Sequence, residues 1–291
     1  MQKPPSSSKA SLECIQKQVD IISQLVSLLN LLIAISIGHA TSREIRSEET
    51  PVPDLVTKVI PMMLQAVGSS SITLIKLSNE PGFQTRDCYS IIRSIVETSV
   101  NICYIIAEGP SAADRALRHA RQKSYMDLQR ELNIGETIIS LRFSSIPDPA
   151  EIEDLEKDIN GFMSQSGREK GWVDLSIDKR IEVVGEKLGK PEVTDLSFAR
   201  FMIYRHSSEI LHGTFFSTIY FFGASSPNNK PASPEELIEN ITQQHIMILM
   251  ANIASLSAVI ESFHKAYGFK SIVEKLNVIT SPLNDIPYFK N

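Results

Sequence analysis

The sequence predicts an all-α protein, an antiparallel helical bundle carrying extra helices at its N-terminus and in its middle. Three observations predict it. Apolar residues recur at helical spacing over most of the 291 residues, Pro and Gly gather at the junctions between those stretches, and no convincing run of strands interrupts them. With 42% hydrophobic and 22% charged residues, the chain has material for one large core. A net charge of −5 excludes a protein that coats nucleic acid through charge alone, while leaving room for a local basic groove.

The elements follow in order. Residues 1–10 open the Pro/Ser-rich start MQKPPSSSKASLE and read as disordered. They carry no apolar segment of the kind a signal peptide needs, which predicts a cytoplasmic protein. A first helix is expected over Ser11–Gly38. Its stretch Ile21–Gly38 has about the length of a bilayer span. Ser23, Gln24, Ser27, Asn30 and Ser36 interrupt it and no aromatic or basic flank anchors it, so it reads as a buried core helix and no membrane is expected. The next helix spans Asp54–Asn79, with a cap at Asp54 and a kink at Pro61. After Pro81-Gly82 a third runs Gln84–Glu108, and after Gly109-Pro110 a more polar one runs Ala112–Leu132.

Residues 133–190 form a charged helical elaboration, with helices expected at 149–163 and 177–188 and the lone Trp172 between them. Two long helices, Thr194–Phe222 and Pro234–Tyr267, complete a single domain over residues 11–267, and residues 268–291 read as a tail with a short helix. Cys14, Cys88 and Cys103 have neither paired nor metal-type spacing and read as core thiols of a reducing compartment.

The helix at 84–108 carries the most informative pattern. With Arg93 set at zero and about 100° per residue, Arg86 and Tyr104 fall near 20°, Glu97 near 40°, Ser90 near 60° and Asn101 near 80°. Nearly all the rest of its circumference is apolar, so this polar stripe must meet partners inside the protein. Arg93 and Glu97 need each other or groups on a neighbouring helix, since burying either unpaired would cost several kcal/mol. One reading is an ion pair that fixes helix register; the other is one wall of a site.

A second apolar helix, 196–223, holds the polar insert RHSSEILH, with Arg205 and His212 two turns apart and Ser208 and Glu209 between them. This insert is expected to face the stripe, so that Arg93 and Glu97 meet Arg205 and His212. Residues Glu209/His212 and Glu261/His264 also repeat Glu-x-x-His, a spacing that lets both side chains reach one metal. Only Glu97 stands out as a further ligand, so no metal and no cofactor is expected. His245 and Asn252 read as core residues that could join the central patch.

Two resemblances follow from these residues. The combination of Arg93 and Glu97 with Tyr204, Arg205, Ser208, His212 and Gly213 resembles a bacterial family known only as a domain of unknown function, over about residues 80–265. The same helix is similar to the HEPN superfamily of small helical bundles, whose ribonuclease members place His a short gap after Arg; six residues separate Arg205 from His212. His206 stands where many of those nucleases have Asn. The likeness implies metal-independent RNA cleavage in bacterial defence or toxin–antitoxin biology, with His212 as acid/base and Arg205 stabilising the phosphorane-like transition state. Arg93, Glu97, Ser208 and Glu209 would complete the catalytic cluster, supported by Asn101, Tyr204 and His206. A homodimer or partner protein is the implied assembly, and Arg115, Arg118 and Arg121 offer a face to RNA phosphates. The competing reading is a non-catalytic helical module whose buried Arg/Glu/His network shapes a site for a partner or ligand.

Overall fold

In a computed structural model, which describes residues 8–41, 50–142, 148–223 and 231–285, the chain forms an all-α bundle. Five long helices build it: α1 (Lys9–Thr41), α2 (Asp54–Leu77), α3 (Thr85–Glu108), α7 (Lys190–Leu211) and α9 (Pro234–Tyr267). Between α3 and α7 lie α4 (Pro110–Met126), α5 (Leu155–Gly161) and α6 (Ile177–Lys187); α8 (Phe215–Phe221) and α10 (Lys270–Thr280) complete the set. The central helix is α9, which packs against α1, α3, α7 and α10. Its buried residues, from Ile241 and Ile248 to Val259 and Phe263, cover nearly its whole circumference, as a core helix requires. Ser233 caps its start by accepting from Glu236 N at 3.2 Å, and Gly268 ends it in the left-handed region.

By length and composition alone, four of the described helices could cross a membrane: α1, α2, α3 and α9. In α9, 83% of the most apolar stretch is buried against the rest of the chain. One continuous core joins residues of α1, α2, α3, α6, α7, α9 and α10.

Several boundaries differ from expectation for identifiable reasons. Residues 1–7 lie outside the described residues; α1 already begins at Lys9, and the Ser8 backbone N–H is held by Glu239 at 2.9 Å. Pro61 is accommodated inside α2 and is buried. The polar helix stops at Met126, because residues 129–142 form a β-hairpin, β1 (Gln129–Ile134) and β2 (Thr137–Arg142). Gly135, with φ +59°, makes its two-residue turn, and one face carries Leu132, Ile134, Ile139 and Leu141, all exposed. The expected 149–163 helix is a short 3₁₀ turn and α5, divided at Asp154, whose φ is +61°. The segment from 268 is no loose tail as far as Thr280: Ile272 and Leu276 of α10 are buried against α9 and α1. Cys88 and Cys103 are buried, and burial pushes both thiols up to about 12; Cys14 is half-buried and its thiol is raised too.

The largest departure sits in the expected 194–222 helix. It begins earlier, at Lys190, with Pro191 in its first turn, and it breaks at His212. Gly213 takes φ +63°, and Thr214 then caps α8, accepting from Ser217 N at 3.2 Å. Close packing of α6 on the start of α7 depends on Gly185, where a Cβ would collide with Val193.

Candidate functional site

The polar stripe of α3 meets α6 and α7, and it is Tyr204 that receives it. Arg93 Nε donates to Glu97 Oε1 at 2.9 Å, with the arginine side chain 19% exposed. The same guanidinium lies 4.6 Å from the centroid of the Tyr204 ring, and its Nη2 donates to the Tyr204 hydroxyl at 3.4 Å. Arg200, one turn before Tyr204, also lies over that ring, at 5.1 Å. Its Nη2 donates to Asp178 Oδ2 of α6 at 2.6 Å, and its Nε lies 2.6 Å from Oδ1 as an ion pair.

Asn101 bonds Arg180 of α6 through its carbonyl oxygen. Burial pulls the Arg180 pKa below its ordinary value, against the opposing pull of Glu97, Tyr204 and Tyr104. The Tyr204 ring thus meets two guanidiniums, Arg93 from α3 and Arg200 from its own helix. Arg180 and Asp178 belong to no motif, and sequence reasoning missed them; only the adjacency of α6 and α7 reveals them.

Beside Tyr204 opens a groove of about 630 Å³ between α7, α8 and α9, with Tyr89 of α3 at its base. His206 stacks on Tyr220 with 3.9 Å between centroids and 6° between planes. Burial lowers the His206 pKa, and neighbouring Arg205 lowers it further, so the ring is neutral at pH 7; its Nδ1 is buried without a hydrogen-bond partner. A chain of bonds braces the floor. Tyr89 donates to Gln244 Oε1 at 3.2 Å, Gln244 Nε2 donates to the Phe221 carbonyl at 3.1 Å, and the Tyr220 hydroxyl interacts with that of Tyr89. Burial raises the pKa of both tyrosines, which therefore stay protonated donors.

Arg205 lines this groove and is exposed. Glu209, one turn on, does not pair with it. That carboxylate accepts from Thr214 Oγ1 at 2.7 Å and ties α7 to α8. Among the described residues Arg205 has no carboxylate partner. His212 is also exposed, at the C-cap of α7, its N–H donating to the Ser208 carbonyl at 3.1 Å. Along the helix axis Arg205 and His212 stand about 10 Å apart on nearly one line. Ser208 lies between them, half-buried. The structure therefore gathers Arg93, Glu97, Asn101 and Tyr204 in one half-buried network and leaves Arg205 and His212 open beyond it, with no contact joining the two sets among the described residues.

Other candidate residues have structural roles. Arg118 Nε and Arg121 Nη2 both bind Asp158, each at 2.6 Å, and Asp158 is fully buried. The face proposed for RNA phosphates thus clamps α5 onto α4, and Arg115, half-buried, holds its Nε out of solvent. His245 is a core residue bonded to Ser78 and Thr85, and Asn252 accepts from Ser71 at 3.0 Å. Among the described residues, no group of three or more His, Cys, Asp or Glu stands close enough to hold a metal ion.

Comparison with known families finds a match to a family of unknown function (DUF5677) over residues 66–230, from the middle of α2 past the end of α8. No curated protein and no solved structure matches the chain.

Proposed function

The chain belongs to this family of unknown function, and since the family brings no activity with it, we propose from the groove beside Tyr204 that the protein is a HEPN-like, metal-independent ribonuclease of the cytoplasm. The observation that carries the reading is the openness of Arg205 and His212: both are exposed on one line of α7, and Arg205, with no carboxylate partner among the described residues, stands at the lip of an aromatic groove. A structural pair would be sealed inside the bundle.

The chemistry follows from these groups. The stacked His206–Tyr220 pair offers a ring face to an unstacked base beside Tyr204, and the Arg205 guanidinium suits a phosphate. In cleavage the ribose 2′-oxygen gives up its proton and attacks phosphorus. The P–O5′ bond then breaks, and the leaving oxygen takes a proton, giving a 2′,3′-cyclic phosphate and a 5′-hydroxyl end. His212 serves as acid/base in this exchange, and Arg205 stabilises charge on the phosphorane. Arg93 and Glu97 act through Tyr204, which they orient. The role fits a bacterial defence or toxin effector. Exposed Phe201, Leu211 and Phe215 around the open pair suit a second copy of the chain.

Cleavage of single-stranded RNA in EDTA tests this. Wild type should cut, and His212→Ala and Arg205→Ala should each lose about 10²–10³-fold. Both side chains are exposed, so the unfolding temperature should hold. A wild type that cuts no RNA yet binds mononucleotides, with loss on Tyr204→Ala, would replace the nuclease with the second reading, a ligand-binding module built on the same groove.

A further inference from the structure

On the same face of α7 as the groove, two turns nearer the start of that helix, a separate cavity of about 660 Å³ opens between α7, α9 and α10. Two carboxylates line it and a third is buried nearby. Asp195 and Glu261 line it, and Glu192, one turn before Asp195, lies close enough to both to act on them electrostatically. Glu192 is fully buried, and neither of its oxygens has a hydrogen-bond partner; Glu261 Oε2 is also buried without one. No cation answers them from the described residues. Lys265, on the next turn of α9, is exposed and forms no ion pair with Glu261, on which its pull is the weakest influence. Burial and mutual repulsion raise Asp195 to about 6 and Glu261 to about 7.

Carboxylates held in low dielectric with neither donor nor counter-charge make an unoccupied site costly, and a cation brought there recovers the loss. The kind of cation is decided by the walls. A hard metal ion needs several oxygens converging at about 2.0–2.6 Å, and no such group of three exists among the described residues. An ammonium accepts a looser arrangement, with N–H···O distances of about 2.8 Å to carboxylates that need not share one point. The rest of the cavity is largely apolar, formed by Phe198, Met250, Ile253 and Leu276, which suits methylene groups. With Glu192 behind Asp195 and Glu261, the acidic groups outnumber one ammonium.

We infer that this cavity binds an aliphatic di- or polyamine, one ammonium held between Asp195 and Glu261 and the methylene chain lying along Phe198 and Leu276. This site is separate from the groove and does not depend on the nuclease reading.

Titration calorimetry on the full chain at low salt decides it, using 1,5-diaminopentane and spermidine as probes, pentane-1,5-diol as the neutral match and Mg²⁺ as the hard cation. The amines should bind and raise the unfolding temperature, and the diol should not. Asp195→Asn and Glu261→Gln should each weaken amine binding about ten- to hundred-fold, the loss of one charge-assisted hydrogen bond. Both variants remove repulsion, so without amine they should unfold at a higher temperature than wild type, which shows that they are folded. Absence of amine binding by wild type overturns the inference. So does equal binding by the double variant, which would place the amines elsewhere on an acidic surface, and so does Mg²⁺ displacing them with tighter binding.

Discussion

Replacing His245 with glutamine will flatten the acid limb of the stability curve. Ser78 Oγ donates to the Leu74 carbonyl at 2.7 Å, so it accepts from His245 Nε2 at 2.8 Å. Thr85 Oγ1 then donates to Nδ1 at 3.1 Å. This pattern assigns a neutral imidazole with its proton on Nε2. Burial holds its pKa down at about 4, against 6.5 for a free side chain. Between those values the unfolded chain binds the proton and the folded one does not, so stability is lost as pH falls from 6.5 towards 4. A gap of about 2.5 units at 1.36 kcal/mol each makes the full loss about 3 kcal/mol.

Asp195 and Glu261 act in the opposite sense. Their raised pKa values let the folded protein hold protons more tightly, adding stability as pH drops through 7 and 6. Wild type alone would therefore show a muted curve, and the comparison with His245→Gln removes the carboxylate contribution. Urea unfolding of both proteins at pH 7.5 and 4.5 is the assay. The variant should be the less stable at pH 7.5, for want of two buried hydrogen bonds, and the gap should close by about 2–3 kcal/mol at pH 4.5. Curves that stay parallel across that range would refute the buried neutral imidazole.

Asp158→Ala should cost about 2–3 kcal/mol, moderated because Arg118 and Arg121 are partly exposed and regain water; faster amide exchange confined to α5 would show that the clamp is local. Gly213→Ala should cost about 1 kcal/mol by chemical denaturation from its positive φ alone, since a Cβ there meets nothing within 4 Å. Arg93→Met should leave RNA affinity altered through Tyr204 while Arg205 and His212 remain intact. A rise in KM with little change in kcat is the expected signature, and a pure kcat loss would place Arg93 in the chemistry.

The five long helices were legible because each buries a wide apolar face, a signal that survives whatever packs on it. The stripe on α3 was legible for the same reason in reverse, as polar residues aligned on an apolar helix. Its partners were not. Arg180 and Asp178 lie on a helix whose polar residues look like an ordinary solvated face, and only folding turns them inward. Asp158 likewise reads as one member of an acidic run, and its capture of two arginines 40 and 37 residues away cannot be read from spacing. The break at His212 and the hairpin had readable signals. Gly213 followed by Thr214 is a helix end followed by a cap, and NIGET is a turn between alternating residues, but apolar periodicity through 196–223 and helix-favouring residues before 133 outweighed them.

Because α9 is the centre of the bundle and lies so late in the chain, synthesis and folding are out of step. When the first 230 residues have been made, α1, α2, α3 and α7 exist without the helix that each of their apolar faces is shaped to meet, apart from what α1–α2, α2–α3 and α3–α7 contacts provide. At about 5–20 residues per second, the 34 residues of α9 take a few seconds more to appear. For that interval the nascent protein presents open apolar grooves, a natural substrate for ribosome-bound chaperones. A ribosome that stalls there releases a fragment with no centre to fold around.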